Sequence, residues 1–267
     1  MKLRLFLLIC LIFIAGCSSR PAKQRLLVDM VKFDRVYVPA LVFTDLFRQR
    51  ESEIALADLK KEWQRFYDKY HGMKMKYGVD IVDKRWPQDF DLINNLIASA
   101  EVCTSDELLI PAYASLEAVR FVLADIRKRN SLHYFLDYLN DFDATMGQMS
   151  LTVRSKTRLE EKDLKKLKNL SEQARLEWQI VGQASLEAKL FNFDELKVEA
   201  LKERIKKEEQ VLESLDRALK YKNQQAIFQS IQNIKAEFVV IYKAFGDFGP
   251  VFERVLEEKG KQNAPAN

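Results

Sequence analysis

Glycine, proline, histidine and cysteine are all scarce in this chain of 267 residues. There are eight Gly, six Pro, two His and three Cys, so sequence signals for turns are few. Polar and apolar residues do not alternate over any long stretch, and residues 79–82 are the one short candidate for a β-strand. These scarcities argue against a sheet-rich fold, against a disulfide framework and against a metal site built on histidine.

The sequence also lacks the motifs of common enzyme and cofactor sites. It has no Cys-x-x-Cys-His for c-type haem, no Glu-x-x-His pair for a di-iron centre, no P-loop and no Gly-x-Ser-x-Gly. Basic and acidic residues nearly balance, at 43 and 39, so no strongly basic face for nucleic acid is indicated. We therefore expect a non-enzymatic protein with no cofactor and no nucleic acid partner.

Residues that favour helices dominate, and the apolar ones are spaced for helices. Apolar side chains recur every three or four positions without a miss from Leu56 to Met73 and again from Leu132 to Met149. Such spacing puts them on one narrow face of a helix, as at the seams of helical bundles. The sequence predicts an all-α fold: long antiparallel helices in an elongated four-helix-type bundle, with some helices kinked or broken.

The pattern also predicts where the bundle begins and ends. Helical spacing runs through residues 31–250, which we interpret as a bundle domain, either one helical domain or two closely joined. Residues 17–30, which begin with the lipidated cysteine, read as a solvated tether. Residues 251–267 begin amphipathic and finish as a polar C-terminal tail. Within the bundle, Thr104 and Glu107 match a capping box, which predicts a helix start between two predicted helices.

The N-terminal segment has the order of a secretory signal peptide. Two basic residues, Lys2 and Arg4, precede an apolar run of about ten residues, roughly half the length of a membrane-spanning helix. The run ends in Ile14-Ala15-Gly16-Cys17, which resembles the lipobox of bacterial lipoprotein precursors. The resemblance implies that residues 1–16 are removed and that Cys17 carries a diacylglycerol thioether and an acylated amino group. A single-pass anchor and a signal peptide cut at another site are the competing interpretations.

A lipoprotein of this kind is held at a membrane surface through Cys17. Ser18 follows the cysteine, which in a diderm bacterium resembles lipoproteins of the outer membrane that face the periplasm. We expect the helical bundle to act as an interaction or structural module of the cell envelope with a protein partner. The charged helices of residues 155–222 are the expected contact surface. Cys103 is expected to be a buried thiol.

The alternative function is a bundle that binds a metal or a small ligand. Carboxylates beside or on the apolar seams could bind a hard cation if they converge inside the bundle. Otherwise they flank the core or pair with arginines such as Arg120, Arg127, Arg175 or Arg204. The candidate metal ligands are Glu117, Asp125, Asp141 and Asp143. Glu177 and Glu208 also occupy positions where the apolar pattern calls for a nonpolar residue.

Three segments are similar to parts of uncharacterised exported helical-bundle proteins of bacteria. They are residues 37–41, 116–137 and 245–248. Relatives with His at the positions of Tyr113 and Asp143 would bind a metal there, and this chain has neither His. The resemblance implies a helical bundle and no particular activity.

Overall fold

The computed structural model describes the backbone of residues 2–73 and 82–262, and the side chains of residues 22–73 and 82–260. Ten helices and no strand are found in these residues, which confirms the predicted all-α fold. The strand candidate at residues 79–82 lies almost wholly outside the described part. The helices are α1 (Lys2–Asp45), α2 (Gln49–Tyr70), α3 (Trp86–Ser105), α4 (Leu109–Arg129), α5 (Phe135–Val153), α6 (Glu161–Gln183), α7 (Ala188–Phe191), α8 (Glu195–Lys220), α9 (Gln224–Lys243) and α10 (Gly249–Gln262).

The chain forms two compact units. Unit 1 consists of Met1–His133 and Phe248–Asn267, and unit 2 consists of Tyr134–Asp247. The sequence left open whether the bundle predicted over residues 31–250 is one helical domain or two closely joined, because apolar periodicity shows which face of a helix is buried but not which helices that face meets.

Unit 1 is an antiparallel four-helix bundle to which α10 is added. Helix α1 packs on α2, α2 on α3, α3 on α4, and α4 returns to α1, while α10 packs on α2. The Lys23 ammonium donates to the Asn130 carbonyl at 2.9 Å, and the Tyr37 hydroxyl donates to the Leu116 carbonyl at 2.7 Å. The later residue on α1, Tyr37, thus meets the earlier residue on α4, Leu116, so the two helices are antiparallel.

Aromatic rings fill one end of the unit 1 core. Trp63 lies within 6.1 Å of the rings of Phe33, Phe66, Tyr67 and Phe90, measured between ring centroids. The predicted apolar run from Leu56 is buried as far as Tyr70, where α2 ends. The three-four spacing therefore predicted the buried face of α2 correctly.

Unit 2 is a second antiparallel four-helix bundle, formed by α5, α6, α8 and α9. Each of these helices packs on two others in the order α5, α6, α8, α9 and back to α5. The Phe142 ring packs in a tilted arrangement against Trp178 of α6, with centroids 4.5 Å apart, and lies 5.8 Å from the ring of Phe238 of α9. The apolar run predicted from Leu132 to Met149 is buried throughout.

Both predicted flanking segments are part of unit 1. Residues 22–30, expected to be tether, continue α1, and Leu26 and Met30 are at most 1% exposed. Residues 249–262, most of the expected tail, form α10, in which Val251 and Val255 are buried. Helical structure therefore extends past both predicted boundaries of the bundle, because the burial of a short segment depends on which helix covers it. Residues 263–267 lie outside the described part.

Side-chain caps begin two helices of unit 2, whereas the capping box predicted at Thr104 and Glu107 was wrong. The side chains of Asp194 and Asn223 accept hydrogen bonds from the backbone amides of Lys197 and Ala226, which caps α8 and α9. Thr104, in contrast, belongs to the last turn of α3, and its hydroxyl has no described partner. The next helix, α4, starts only at Leu109, with no side-chain cap.

Five helices end with a left-handed residue other than glycine, at Phe47, Glu107, Ser131, Asn192 and Lys222. In each case the amide of the following residue donates to a carbonyl five positions back in the chain, which is a Schellman ending. Glycine adopts this conformation most easily. The chain therefore stops its helices with few glycines by tolerating strain at these positions.

We expect Glu107→Gly to raise the free energy of unfolding of unit 1 by about 1 kcal/mol, because glycine relieves the cost of the left-handed backbone. Glu107 has φ 59°, is exposed, and lies between α3 and α4. Glu107→Val should lower stability, since a β-branched residue suits this conformation least. Urea unfolding followed by circular dichroism measures both changes. If the Gly and Val variants were equally stable, the backbone at position 107 would not be strained.

Candidate interaction surface

Two of the candidate metal ligands, Glu117 and Asp125, lie on α4 in unit 1. They are eight positions apart, which is about 12 Å along a helix axis. Glu117 accepts hydrogen bonds from the Tyr113 hydroxyl at 2.9 Å and from Arg120 at 3.1 Å. Asp125 pairs with Arg129. Each carboxylate is thus held by an arginine one turn away, and the two do not share a site.

The other two, Asp141 and Asp143, lie on α5 in unit 2. Residues two positions apart on a helix do not face each other, and here Asp141 is exposed while Asp143 is half-buried. Within the described side chains, no group of three or more His, Cys, Asp or Glu is placed to hold a metal ion. The four candidate ligands are therefore not brought together. Sequence spacing grouped them because it does not show which side chain each carboxylate faces.

Glu177 is one of the two carboxylates at seam positions, and it is only partly satisfied. One of its oxygens accepts hydrogen bonds from the Thr145 hydroxyl at 3.0 Å and from the Gln173 amide at 2.8 Å. The other oxygen is buried and has no described partner. Burial is the main cause that raises the pKa of Glu177, and nearby Asp141 adds to it.

Glu208, the second seam carboxylate, is fully buried in unit 2. Its side chain is 0% exposed, and neither oxygen has a described hydrogen-bond partner. It lies on the buried face of α8 between Leu201 and Leu212. Burial raises the pKa of Glu208 to about 9, with a smaller upward effect from Glu237. The group is therefore neutral at pH 7 and belongs to the core.

Unit 2 has a concave surface on the face between α6 and α8. A groove of about 780 Å³ runs between the start of α6 and the end of α8. A second groove of about 660 Å³ continues toward the end of α6. The two share Glu172 and Arg175 in their linings, so they form one continuous groove, here called the α6–α8 groove.

The half of the groove at the start of α6 is basic. It is lined by six basic residues, three acidic residues and two leucines. The residues are Glu161, Lys162, Leu164, Lys165, Lys168, Glu172, Arg175, Asp216, Leu219, Lys220 and Lys222.

Half of these cations already have a carboxylate partner. Arg175 pairs with Asp216 at 2.9 Å, and Lys222 pairs with Glu161 at 2.9 Å. Lys162 pairs with Glu160 outside the groove. The three others, Lys165, Lys168 and Lys220, are exposed and pair with no carboxylate in the described part of the chain. This half of the groove thus has a surplus of positive charge.

The half of the groove at the end of α6 mixes apolar and polar side chains. The apolar ones are Leu176, Trp178, Ile205 and Leu212, and the polar ones are Glu172, Arg175, Gln179, Gln183 and Glu209. The Trp178 indole donates to the Ile205 carbonyl at 2.9 Å, which joins the two helices. Leu176 is 64% exposed, and an exposed apolar side chain in a groove is typical of contact surfaces.

Both helices of the groove lie within residues 155–222, the stretch expected from the sequence to present a contact surface. That role stays a prediction. The groove itself was missed, because its lining comes from two helices whose pairing the sequence did not reveal. The side chain of Cys17 lies outside the described part, and Cys103, expected to be buried, is half-buried.

Comparison with known proteins finds no matching family model, no matching curated protein and no matching solved structure. The fold itself defines the class: an all-α protein whose described residues form two helical bundles. In the described residues, no helix is both long enough and apolar enough to cross a membrane.

Proposed function

We propose that the protein is a membrane-anchored lipoprotein of the cell envelope whose helical bundles act as a non-enzymatic interaction module. The observation that carries the proposal is the sequence Ile14-Ala15-Gly16-Cys17 after a basic start and a short apolar run. The mature chain would begin at Cys17, carry lipid there and face the periplasm from the outer membrane of a diderm bacterium.

The path from the anchor to the folded chain is short. Leu26, the first described side chain that is buried, follows Cys17 by nine positions. Such a stretch spans at most about 30 Å when fully extended. The anchor would therefore hold unit 1 close to the membrane surface. Tethering raises the effective concentration of a binding module for partners in the same membrane layer.

The surface features of unit 2 support an interaction role. The α6–α8 groove combines a surplus of positive charge in one half with the exposed apolar side chain of Leu176 in the other. A groove of this composition suits recognition of another macromolecule. The half-buried Glu177 and the buried Glu208 do not form a metal centre with described ligands.

We expect Cys17→Ser to abolish lipid labelling and to release the protein from membranes. Serine cannot form the thioether, and an unlipidated chain loses the acyl chains that make anchoring stable. The measurement is metabolic labelling with radioactive palmitate, together with membrane fractionation, in a diderm host. The labelled fraction should fall at least tenfold.

Cys103→Ser is the matched control, because it removes a thiol from the folded part and should leave labelling unchanged. Undiminished labelling of the Cys17→Ser protein would contradict lipidation at Cys17. The interaction role is tested separately by crosslinking in intact cells and by deletion. The role fails if no protein is crosslinked at any exposed position and the deletion has no envelope phenotype.

A further inference from the structure

We infer that the α6–α8 groove binds an acidic amphipathic helix of a protein partner, an inference that rests on the proposed interaction role. The linings of the two halves extend from Glu161 to Gln183 on α6. At 1.5 Å per residue this is about 33 Å, the length of a helix of roughly 20 residues. A long, straight cleft between two antiparallel helices suits a third helix laid along it.

Charge decides which helix fits. Lys165 and Lys168 lie one turn apart on α6, and Lys220 lines the same half of the groove from α8. None of the three pairs with a described carboxylate, and Lys220 instead lies 5.8 Å from the centroid of the Tyr221 ring. A partner with Glu or Asp along this half would replace three solvated lysines by ion pairs, with a strong dependence on salt.

The other half of the groove adds an apolar contact to the partner's pattern. Leu176 is 64% exposed in this half, where Trp178 and Leu212 of the lining are already buried. An apolar side chain on the partner helix would cover Leu176. The partner is therefore acidic where it meets Lys165 and Lys168, and apolar where it meets Leu176.

The shape of the surface favours a helix over a membrane. A flat bilayer could reach the exposed lysines, but it would not follow the concave lining that α6 and α8 form together. A helix laid lengthwise contacts both helices at once. An anionic lipid surface is therefore a distinct outcome of the test.

The test is site-specific photocrosslinking of the full chain in intact cells. A photoreactive phenylalanine analogue replaces Leu176 in the groove and, in a second protein, Leu196, which is 83% exposed and does not line the groove. Mass spectrometry then gives the sequence of each crosslinked peptide. We expect the probe at position 176 to capture a segment with net negative charge and apolar residues at helical spacing.

Charge reversal shows whether the groove lysines are responsible. Lys165→Glu, Lys168→Glu and Lys220→Glu together should reduce crosslinking at position 176 at least tenfold. The matched control reverses three exposed lysines of unit 2 that do not line the groove, Lys166, Lys189 and Lys206. The control has the same net charge and should retain crosslinking. Circular dichroism of both triple variants confirms folding.

Several results would overturn the inference. They are capture of lipid, of a second copy of this chain, or of a basic or uncharged segment at position 176, and equal loss of crosslinking in the two triple variants. No capture at 176 with capture at 196 would also overturn it, and would leave the interaction role standing. No capture at any exposed position would sink the interaction role itself.

Discussion

Glu208→Gln is expected to raise the free energy of unfolding of unit 2 by about 3 kcal/mol at pH 7. Glu208 is fully buried, and its carboxyl oxygens have no described hydrogen-bond partner. Burial raises its pKa from 4.5 to about 9. At pH 7 the unfolded chain therefore gains stability by ionising Glu208, whereas the folded chain keeps it neutral. Glutamine has nearly the same shape and cannot ionise.

The sign of the pH dependence follows from the raised pKa. The contribution of Glu208 to stability is fully present below pH 4.5 and is lost progressively as the pH rises to about 9. The difference between the Gln variant and the natural protein should thus be small at pH 4.5 and should grow toward pH 8.5. Glu208→Leu should show the same trend, because leucine also removes the buried polar group.

Urea unfolding at pH 5, 7 and 8.5 measures the effect. Pulsed hydrogen exchange of α8 peptides, labelled at one fixed pH, reports unit 2 separately from unit 1. Glu209→Gln is the matched control, because Glu209 is the exposed neighbour on the same helix and should change stability by less than about 0.5 kcal/mol. A Gln variant that is less stable at every pH would mean that the carboxylate is ionised and paired in the folded protein.

Trp86→Ala is expected to lower the free energy of unfolding of unit 1 by about 3–5 kcal/mol. Trp86 is 0% exposed, and its ring lies 4.7 Å from that of Phe90. Its indole donates to the carbonyl of Tyr70, at the end of α2, at 2.8 Å. Truncation removes the ring, the hydrogen bond and part of the aromatic core. Such a loss is a large share of the stability of an ordinary domain.

Trp86→Phe separates these contributions. Phenylalanine keeps most of the ring contact and loses the indole hydrogen bond. The Tyr70 carbonyl still accepts from the Met73 amide at 3.1 Å, so it is not left without a partner. We expect the Phe variant to lose about 1–2 kcal/mol, clearly less than the Ala variant.

Urea unfolding followed by hydrogen exchange of α2 and α3 peptides compares the two variants. Leu92→Ala is the control on the same helix, because Leu92 is 45% exposed and should cost less than about 1 kcal/mol. If Trp86→Ala cost no more than Leu92→Ala, Trp86 would not be part of the unit 1 core.

Local signals predicted several helix ends but not all of them. Asp194 and Asn223 cap helices, and such caps are open to prediction because a side-chain oxygen and the amide three positions later are set by local geometry alone. Thr104 and Glu107 have the residue types of a capping box, yet Glu107 takes the left-handed conformation that ends α3. The same four residues can therefore start a helix or finish one, and packing decides between the two.

For the candidate site, sequence patterns predicted single residues better than groups of residues. Glu208 was noticed because it interrupts an apolar seam, and it is indeed in the core. The set of Glu117, Asp125, Asp141 and Asp143 was not brought together. A position in the apolar pattern of a helix shows that the side chain faces another helix. It does not show whether the group that it meets there is an arginine, a second carboxylate or an apolar side chain.

The sequence by itself determined that this protein is helical, which faces of α2 and α5 are buried, and that its N-terminus resembles a lipoprotein signal. These properties follow from residue type and spacing within one segment. Only the tertiary structure decided that the chain forms two bundles, that residues 249–262 join the first, and that α6 and α8 leave a groove between them. Helix pairing depends on contacts between residues far apart in the chain, and apolar periodicity is the same whichever helix provides the partner face.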